Sequence, residues 1–254
     1  MRSANSVHFV IRFLPRADLP RGGLRVLELG SLDPWGGYRD VVNMCAGNEY
    51  IGVDITAGPG VDKICTAEEI TRVFGKDSFD VIIATELLEH VEDWRRAVSS
   101  IKNACRPGGR AILTMRSRGF GYHGVPRDYW RFEASDVECM FSDCEIIALE
   151  QDPDLPGVFV VVERPKDFVE NDLSGFDVYS IVRGGRVPEI TSRDYRRPHF
   201  LGILMVSKAR FMLSWIFSYE KKDLWNKARL QLDEARSLWT AAKALRSRGE
   251  KDSR

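Results

Sequence analysis

Along residues 24–164, short continuous apolar runs alternate with stretches of helical period. LRVLELG reads as a buried strand, followed by a polar, Gly-containing turn and a modest helix around residues 38–46. EYIGVD is a second strand and VDKICT a short third. AEEITRVFG is a helix stopped by Gly75, and SFDVIIAT a strongly apolar fourth strand. DWRRAVSSIKNACRPGG reads as an amphipathic helix with Asp93 as N-cap and Pro-Gly-Gly as its stop, and GRAILTM as a fifth strand. After a long irregular stretch come a short helix near 134–141 and two strands, CEIIALEQ and GVFVVVERP. DPDLPG between them leaves no room for a helix, so these two form an antiparallel hairpin. The expected fold is α/β, a doubly wound, mostly parallel seven-stranded sheet with an antiparallel last hairpin. In such sheets ligands bind beyond the carboxyl ends of the strands.

Outside that region the pattern changes. Residues 1–23 form an N-terminal segment whose apolar run is too short and interrupted for a signal peptide or membrane span. Residues 165–200 are rich in Pro, Asp and Arg and read as an irregular connector. Residues 201–247 read as a helical extension with Leu224, Ala228, Ala235, Leu238, Ala242 and Leu245 at helical spacing. Lys208 and Arg210 interrupt its apolar first half and argue against a lipid-spanning helix. Homo-oligomer formation through these helices is expected first, packing on the protein's own core second, and peripheral membrane contact least.

The formal net charge is zero, which does not favour nucleic acid as a partner. Five cysteines without a C-x-x-C pair suit reduced thiols and a cytoplasmic location. Neither H-x-x-x-H nor Cys pairing is present, so no metal site is expected.

The candidate chemistry lies at the strand ends. Glu28 and Gly30 end the first strand, Gly30 permits a sharp turn, and Gly36 and Gly37 permit close approach to a ligand. Asp54 ends the second strand, where a carboxylate can accept both ribose hydroxyls. Thr66 and Ala67 follow the third strand, and Thr85 and Glu86 the fourth. The loop LGSLDPWGG lacks G-x-G-x-x-G, and Asp33 within it repels a pyrophosphate but attracts a cationic amino acid or sulfonium.

VLELGS, YIGVD, SFDVIIATELLEHVED and RPGGRAILT, with the terminal hairpin, resemble the class I S-adenosylmethionine-dependent methyltransferases over roughly residues 24–164. Within them the chain is similar to a type 11-like branch carrying a G-S-x-D loop and a later DYWRF. The resemblance implies S-adenosylmethionine as cofactor. It places Glu28, Gly30 and Ser31 beside the methionine part, Asp54 at the ribose, Ile55 on the adenine, and Thr66 and Ala67 at its edge. Thr66 stands where such chains often carry Asp, with Glu68 a substitute.

In this fold the loops after the fourth and fifth strands face the methyl group, which makes MRSRGFGYHGVPRDYWRFEASDV the acceptor side. It is long, Gly-punctuated and rich in aromatic and charged residues. His123 is the general-base candidate and Asp128 its orienting partner or a hydroxyl ligand. Tyr129 and Trp130 offer flat faces to a sugar or aromatic ring, and Arg127 and Arg131 suit an anionic group. Glu89 and His90 in ELLEHVED invite a catalytic or metal reading, with orientation of the turn the alternative for Glu89 and substrate binding for His90. The competing reading is that DYWRF packs the loop onto the sheet with Arg131 paired to a carboxylate.

The expected function is methyl transfer to a small-molecule or glycan acceptor, through O-methylation of a saccharide or related hydroxyl. Relatives with DYWRF often accompany polysaccharide or surface-glycan assembly, and natural-product biosynthesis is the other setting. The alternative is a non-catalytic or partner-dependent cofactor-binding module on the same fold.

Overall fold

The structure, a computed structural model, describes residues 3–14, 22–32, 37–44, 46–124 and 127–216, with side chains through Ala209. The strands are β1 (Arg25–Leu29), β2 (Glu49–Asp54), β3 (Lys63–Ile64), β4 (Phe79–Thr85), β5 (Cys105–Arg116), β6 (Trp130–Arg131), β7 (Glu145–Gln151), β8 (Gly157–Glu163), β9 (Val178–Ser180) and β10 (Gly185–Val187). The helices are α1 (Ala4–Phe13), α2 (Arg39–Asn43), α3 (Ile70–Phe74), α4 (Trp94–Ala104), α5 (Ala134–Met140) and α6 (Pro198–Ile216). Seven strands form one sheet in the order β3-β2-β1-β4-β5-β8-β7. All neighbours pair in parallel except β8, which runs antiparallel to both β5 and β7. This is the expected doubly wound sheet, with the last hairpin folded back so that its second strand lies inside.

Every residue of β4 is buried because the sheet is covered on both faces. The period of two divides the core. Ile82 and Ala84 face a cluster with Ile70, Trp94, Val98 and Ile101, while Val81 and Ile83 face a second with Phe9, Val10, Phe13 and Val42. The N-terminal segment is therefore part of the fold. Ser3 caps α1 by accepting a hydrogen bond from the Ser6 amide at 3.1 Å, and the helix lays its apolar side on the sheet. α4 starts at the expected cap, Asp93, whose carboxylate accepts from the Arg96 amide at 3.1 Å.

Several elements are shorter than their periodicity suggests. α2 covers five residues, β3 two, and the third helical stretch opens with a 3-10 turn at Ala67–Glu69 before α3. Gly75 stops α3 at φ 89°, a value its lack of Cβ permits.

The larger correction concerns residues 165–200, expected to be irregular. They contain β9 and β10, which join β6 in a separate antiparallel sheet of order β10-β9-β6. Runs of three residues are too short for alternation to register, and β6 lies far upstream in sequence. Arg95 of α4 anchors the segment by donating to the carbonyls of Leu173, at 2.8 Å, and of Phe176 and Pro188.

Among the described residues no helix is long and apolar enough to cross a membrane. α6 exposes Leu201, Met205 and Val206. The second half of the expected helical extension, residues 217–247, and the loop residues 33–36 lie outside the described residues. The described cysteines, Cys65, Cys105, Cys139 and Cys144, are free, and burial pushes the Cys105 and Cys144 thiols up to about 12.

Candidate active site

The carboxyl ends of β1, β2 and β4 adjoin one another, and the residues singled out at each sit at the same edge of the sheet. Gly30 leaves β1 at φ 72°, and its amide and that of Ser31 both donate to the Val53 carbonyl, at 2.9 and 3.0 Å. A Cβ on Gly30 would stand 3.3 Å from Leu87. Glu28, fully buried, accepts from the Tyr50 hydroxyl and from the Tyr38 amide at 3.3 Å. Its carboxylate thus ties the chain beyond the loop back to β2 and shapes the loop from beneath.

Asp54 stands at the end of β2, accepting from the Thr56 amide at 2.9 Å and the Leu32 amide at 3.3 Å. Beside it Ile55 and Leu32 are exposed apolar side chains, 54% and 40% accessible, which is costly in water without a cover. Thr66 precedes the 3-10 turn with its side chain uninvolved in capping, and Ala67 is buried under it. The Ser31 and Thr85 hydroxyls are buried and lack hydrogen-bond partners. Orphaned hydroxyls, a half-open carboxylate and an apolar shelf beside it fit the methionine, ribose and adenine parts of S-adenosylmethionine.

Glu86 is placed differently from the expectation of cofactor contact. Held at φ 50°, it accepts from Arg116 at 2.6 Å, from the Ser3 amide at 2.8 Å and from Ser6 Oγ at 3.3 Å. Arg116 also donates to Asp152 at 3.0 Å. The carboxylate of Glu86 joins β4, β5 and the start of α1.

The turn after β4 and the loop after β5 are stitched together. The Tyr129 amide donates to the Glu89 carbonyl at 2.7 Å, and Trp130 Nε1 to the Val91 and Glu92 carbonyls at 3.0 and 3.2 Å. The Ile181 amide, just beyond β9, donates to the Tyr129 carbonyl at 2.9 Å. This stitching brings His90 and His123 edge to face, ring centroids 4.7 Å apart. His90 Nδ1 bonds to the Arg127 carbonyl, and burial lowers its pKa. His123 Nδ1 lies 2.9 Å from Asp128 Oδ2, which also accepts from the His123 amide at 2.9 Å. The Nδ1 contact is an ion-pair distance without hydrogen-bond alignment, so both His123 ring nitrogens are buried and unbonded. Asp128 therefore lies against His123, bonded to its amide and at ion-pair distance from its ring.

Trp130 and Arg131 do not face an acceptor. Each is 1% exposed. Arg131 clamps both Asp128 oxygens, at 2.5 and 2.7 Å, and donates to the carbonyls of Phe120, Gly121 and Trp130. A guanidinium so enclosed has no donor left for an anionic ligand. Burial alone would raise the Asp128 pKa, but the Arg131 hydrogen bonds, with His123 beside it, hold it far below the carboxylate range. Tyr129, 5% exposed, donates to Glu92 at 3.2 Å and offers little of its face, whereas Arg127 is exposed. The competing reading of DYWRF, a packed motif with Arg131 paired to a carboxylate, describes what these residues do.

Sequence reasoning undervalued Glu89. It is fully buried, both carboxylate oxygens lack partners, and desolvation, with Glu86 and Asp128 nearby, pushes its pKa up to about 8. One ligand atom each from Glu89, His90 and His123 lies within 4.8 Å of the others. No local spacing signals this trio, because the sheet brings His123 to ELLEH from 33 positions away.

Comparison with known proteins finds methyltransferases. A stretch of 59 residues is 29% identical to phosphoethanolamine N-methyltransferase 2 of Caenorhabditis elegans, spanning 23% of this chain and only 14% of that enzyme's length. The 1,6-didemethyltoxoflavin-N1-methyltransferase of Burkholderia thailandensis, solved with S-adenosylhomocysteine, superposes at TM-score 0.48 and 15% identity, covering 60% of this chain and 78% of that one. An S-adenosylmethionine-dependent methyltransferase from Mesorhizobium loti gives 0.45 and 16%, covering 60% and 97%. The model of a methyltransferase-domain family matches residues 3–147, more than half of the chain and inclusive of α1, the strand-end residues and His123. The chain belongs to this family, the class I methyltransferases that use S-adenosylmethionine as cofactor.

Proposed function

We propose that the protein transfers the methyl group of S-adenosylmethionine to a hydroxyl of a small-molecule or glycan acceptor. Bound at the strand ends, the cofactor supplies a sulfonium-activated methyl. Gly30 and Ser31 take its methionine part, Asp54 the ribose, Ile55 and Leu32 the adenine face, and Thr66 and Ala67 its edge. Thr85 contributes its buried hydroxyl.

The observation that carries an oxygen acceptor is the polar cluster beside those ends. Glu89, His90 and His123 bring one ligand atom each within 4.8 Å of the others, and the carboxyl oxygens of Glu89 and ring nitrogens of His123 are buried without a hydrogen-bond partner. An acceptor that is already nucleophilic needs only positioning, whereas a hydroxyl needs its proton polarised or removed. His123, positioned by Asp128, is the residue that meets it. The wall formed by Phe120, whose ring lies 4.9 Å from that of His123, provides an apolar side for a ring-shaped acceptor.

The test is production of S-adenosylhomocysteine from the full chain over a panel of sugars, nucleotide sugars, phenols and amines. Turnover confined to hydroxyl acceptors, falling at least about a hundredfold in His123→Ala with cofactor affinity kept, is expected. Turnover with amines alone, or a His123→Ala variant as active as the parent, would overturn the assignment. Cofactor binding with no turnover on any acceptor would favour the non-catalytic module.

A further inference from the structure

We propose that Glu89, His90 and His123 bind a divalent first-row transition ion of the zinc type. The inference rests on the hydroxyl-acceptor reading and specifies how that site activates its acceptor. One carboxylate and two imidazoles form a set that suits zinc, cobalt or iron better than magnesium or calcium, which prefer all-oxygen cages.

The geometry is nearly assembled. The three ligand atoms lie within 4.8 Å of one another. A tetrahedral ion with bonds of about 2.1 Å places its ligands about 3.4 Å apart, so an approach of at most roughly 1.4 Å closes the site.

Three further features point to a cation. Glu89 buries two oxygens that no other residue's donor meets, although buried carboxyls ordinarily find partners. His123 likewise buries its Nε2 with no partner. The surroundings also resemble an outer shell. His90 Nδ1 is taken by the Arg127 carbonyl, which leaves its Nε2 lone pair to a metal. Asp128 lies 2.9 Å from His123 Nδ1, the carboxylate–histidine arrangement that orients a metal-bound imidazole.

Charge is compatible as well. Asp128 pairs with Arg131, and Arg116 is shared by Glu86 and Asp152, so Glu89 is the carboxyl of the cluster with no cation beside it, and an arriving ion would displace its proton. A divalent ion on one carboxylate and two neutral imidazoles retains one positive charge. That charge would draw the acceptor oxygen into an open coordination position and lower the pKa of its hydroxyl. The hydroxyl proton then passes to solvent water, and the oxygen lone pair forms the O–C bond as the methyl C–S bond breaks. The electron pair of that bond stays on sulfur. His123 then polarises the hydroxyl through the ion that it holds.

The experiment uses the untagged full chain, stripped with chelator and titrated with Co(II) by visible absorption and with Zn(II) by calorimetry. S-adenosylmethionine is titrated into the same samples. One equivalent of Co(II) with ligand-field bands is expected. Affinity should fall at least tenfold in His123→Ala and in Glu89→Gln, and be unchanged in His8→Ala, whose imidazole is exposed on α1. Retained cofactor binding in the variants certifies their fold. Cofactor binding without Co(II) or Zn(II) binding, ion binding indifferent to His123→Ala and Glu89→Gln, or preference for Mg(II) over Co(II) would each overturn the metal site and leave the methyltransferase reading standing. Ion binding in a protein that binds no S-adenosylmethionine would overturn the reading on which the site's role rests.

Discussion

Arg131 shows how one residue's chemistry depends on where the fold puts it. Its guanidinium, 1% exposed, holds both oxygens of Asp128 and thereby fixes the carboxylate that orients His123. Removing one member of a buried pair leaves a desolvated charge. Arg131→Ala should therefore lower stability by about 3–5 kcal/mol, measured by urea denaturation. A loss below about 1 kcal/mol would mean that the pair is effectively solvated. Asp54 is the opposite case, a carboxylate held by two amides yet open toward the cofactor side. Asp54→Ala should raise the S-adenosylmethionine dissociation constant at least about tenfold, since hydrogen bonds to a charged group are each worth about 1.5–3 kcal/mol. An unchanged constant would refute its ribose role. Asp54 was legible because strand, turn and spacing act within one βα unit. The burial of Arg131 was not, because nothing in DYWRF distinguishes an arginine facing a ligand from one facing its own loop.

At the scale of elements, two additions to the sheet matter. α1 and its C-cap insert Phe9, Val10, Phe13 and Leu14 against the same sheet face as Val81, Ile83 and Phe159. Phe9→Ala should cost about 3–5 kcal/mol by the cavity it leaves, visible as a lower denaturation midpoint with unchanged slope. The small sheet of β6, β9 and β10 is the second addition, pinning the DYWRF strand through Trp130–Ser180 and Arg131–Tyr179 pairing. Val178 on β9 is fully buried. Val178→Asp should loosen the acceptor loop and lower turnover while S-adenosylmethionine affinity holds, because the cofactor residues sit on β1, β2 and β4. Equal losses in both would show that the small sheet supports the whole site.

Stability against acid belongs to the whole molecule. Burial would raise the pKa of Asp194, but the Thr191 amide and hydroxyl, each at 2.8 Å, and Arg183 at 2.6 Å hold it at about 2. A carboxyl whose folded pKa lies below its unfolded value stabilises the protein above about pH 4, and that contribution disappears as pH falls toward 2. Asp194→Asn should therefore be less stable at neutral pH and lose less of its stability between pH 4 and 2, as read by thermal melts across that range. A parallel decline in both proteins would remove Asp194 from the account. The residue links the β9–β10 turn through Arg183 to the approach of α6 through Arg197, so its protonation loosens the segment beside the acceptor loop.

The sequence by itself determined the sheet, because each strand and its following helix carry their own period, caps and stops within a few residues. It determined the strand-end placement of Gly30, Asp54 and Thr85 for the same reason, since a parallel αβ sheet leaves its carboxyl ends at one edge. Tertiary structure alone decided which polar side chains are spent on the fold. Glu86 turned to Arg116 and α1, Arg131 turned to Asp128, and two short runs within residues 165–200 became strands in a sheet with β6. It alone also drew Glu89 and His90 to His123, through hydrogen bonds between two loops that are adjacent in the sheet and distant along the chain. Local propensity carries no record of a partner that distant, and burial, which makes such a partner costly to lack, exists only once the chain has folded.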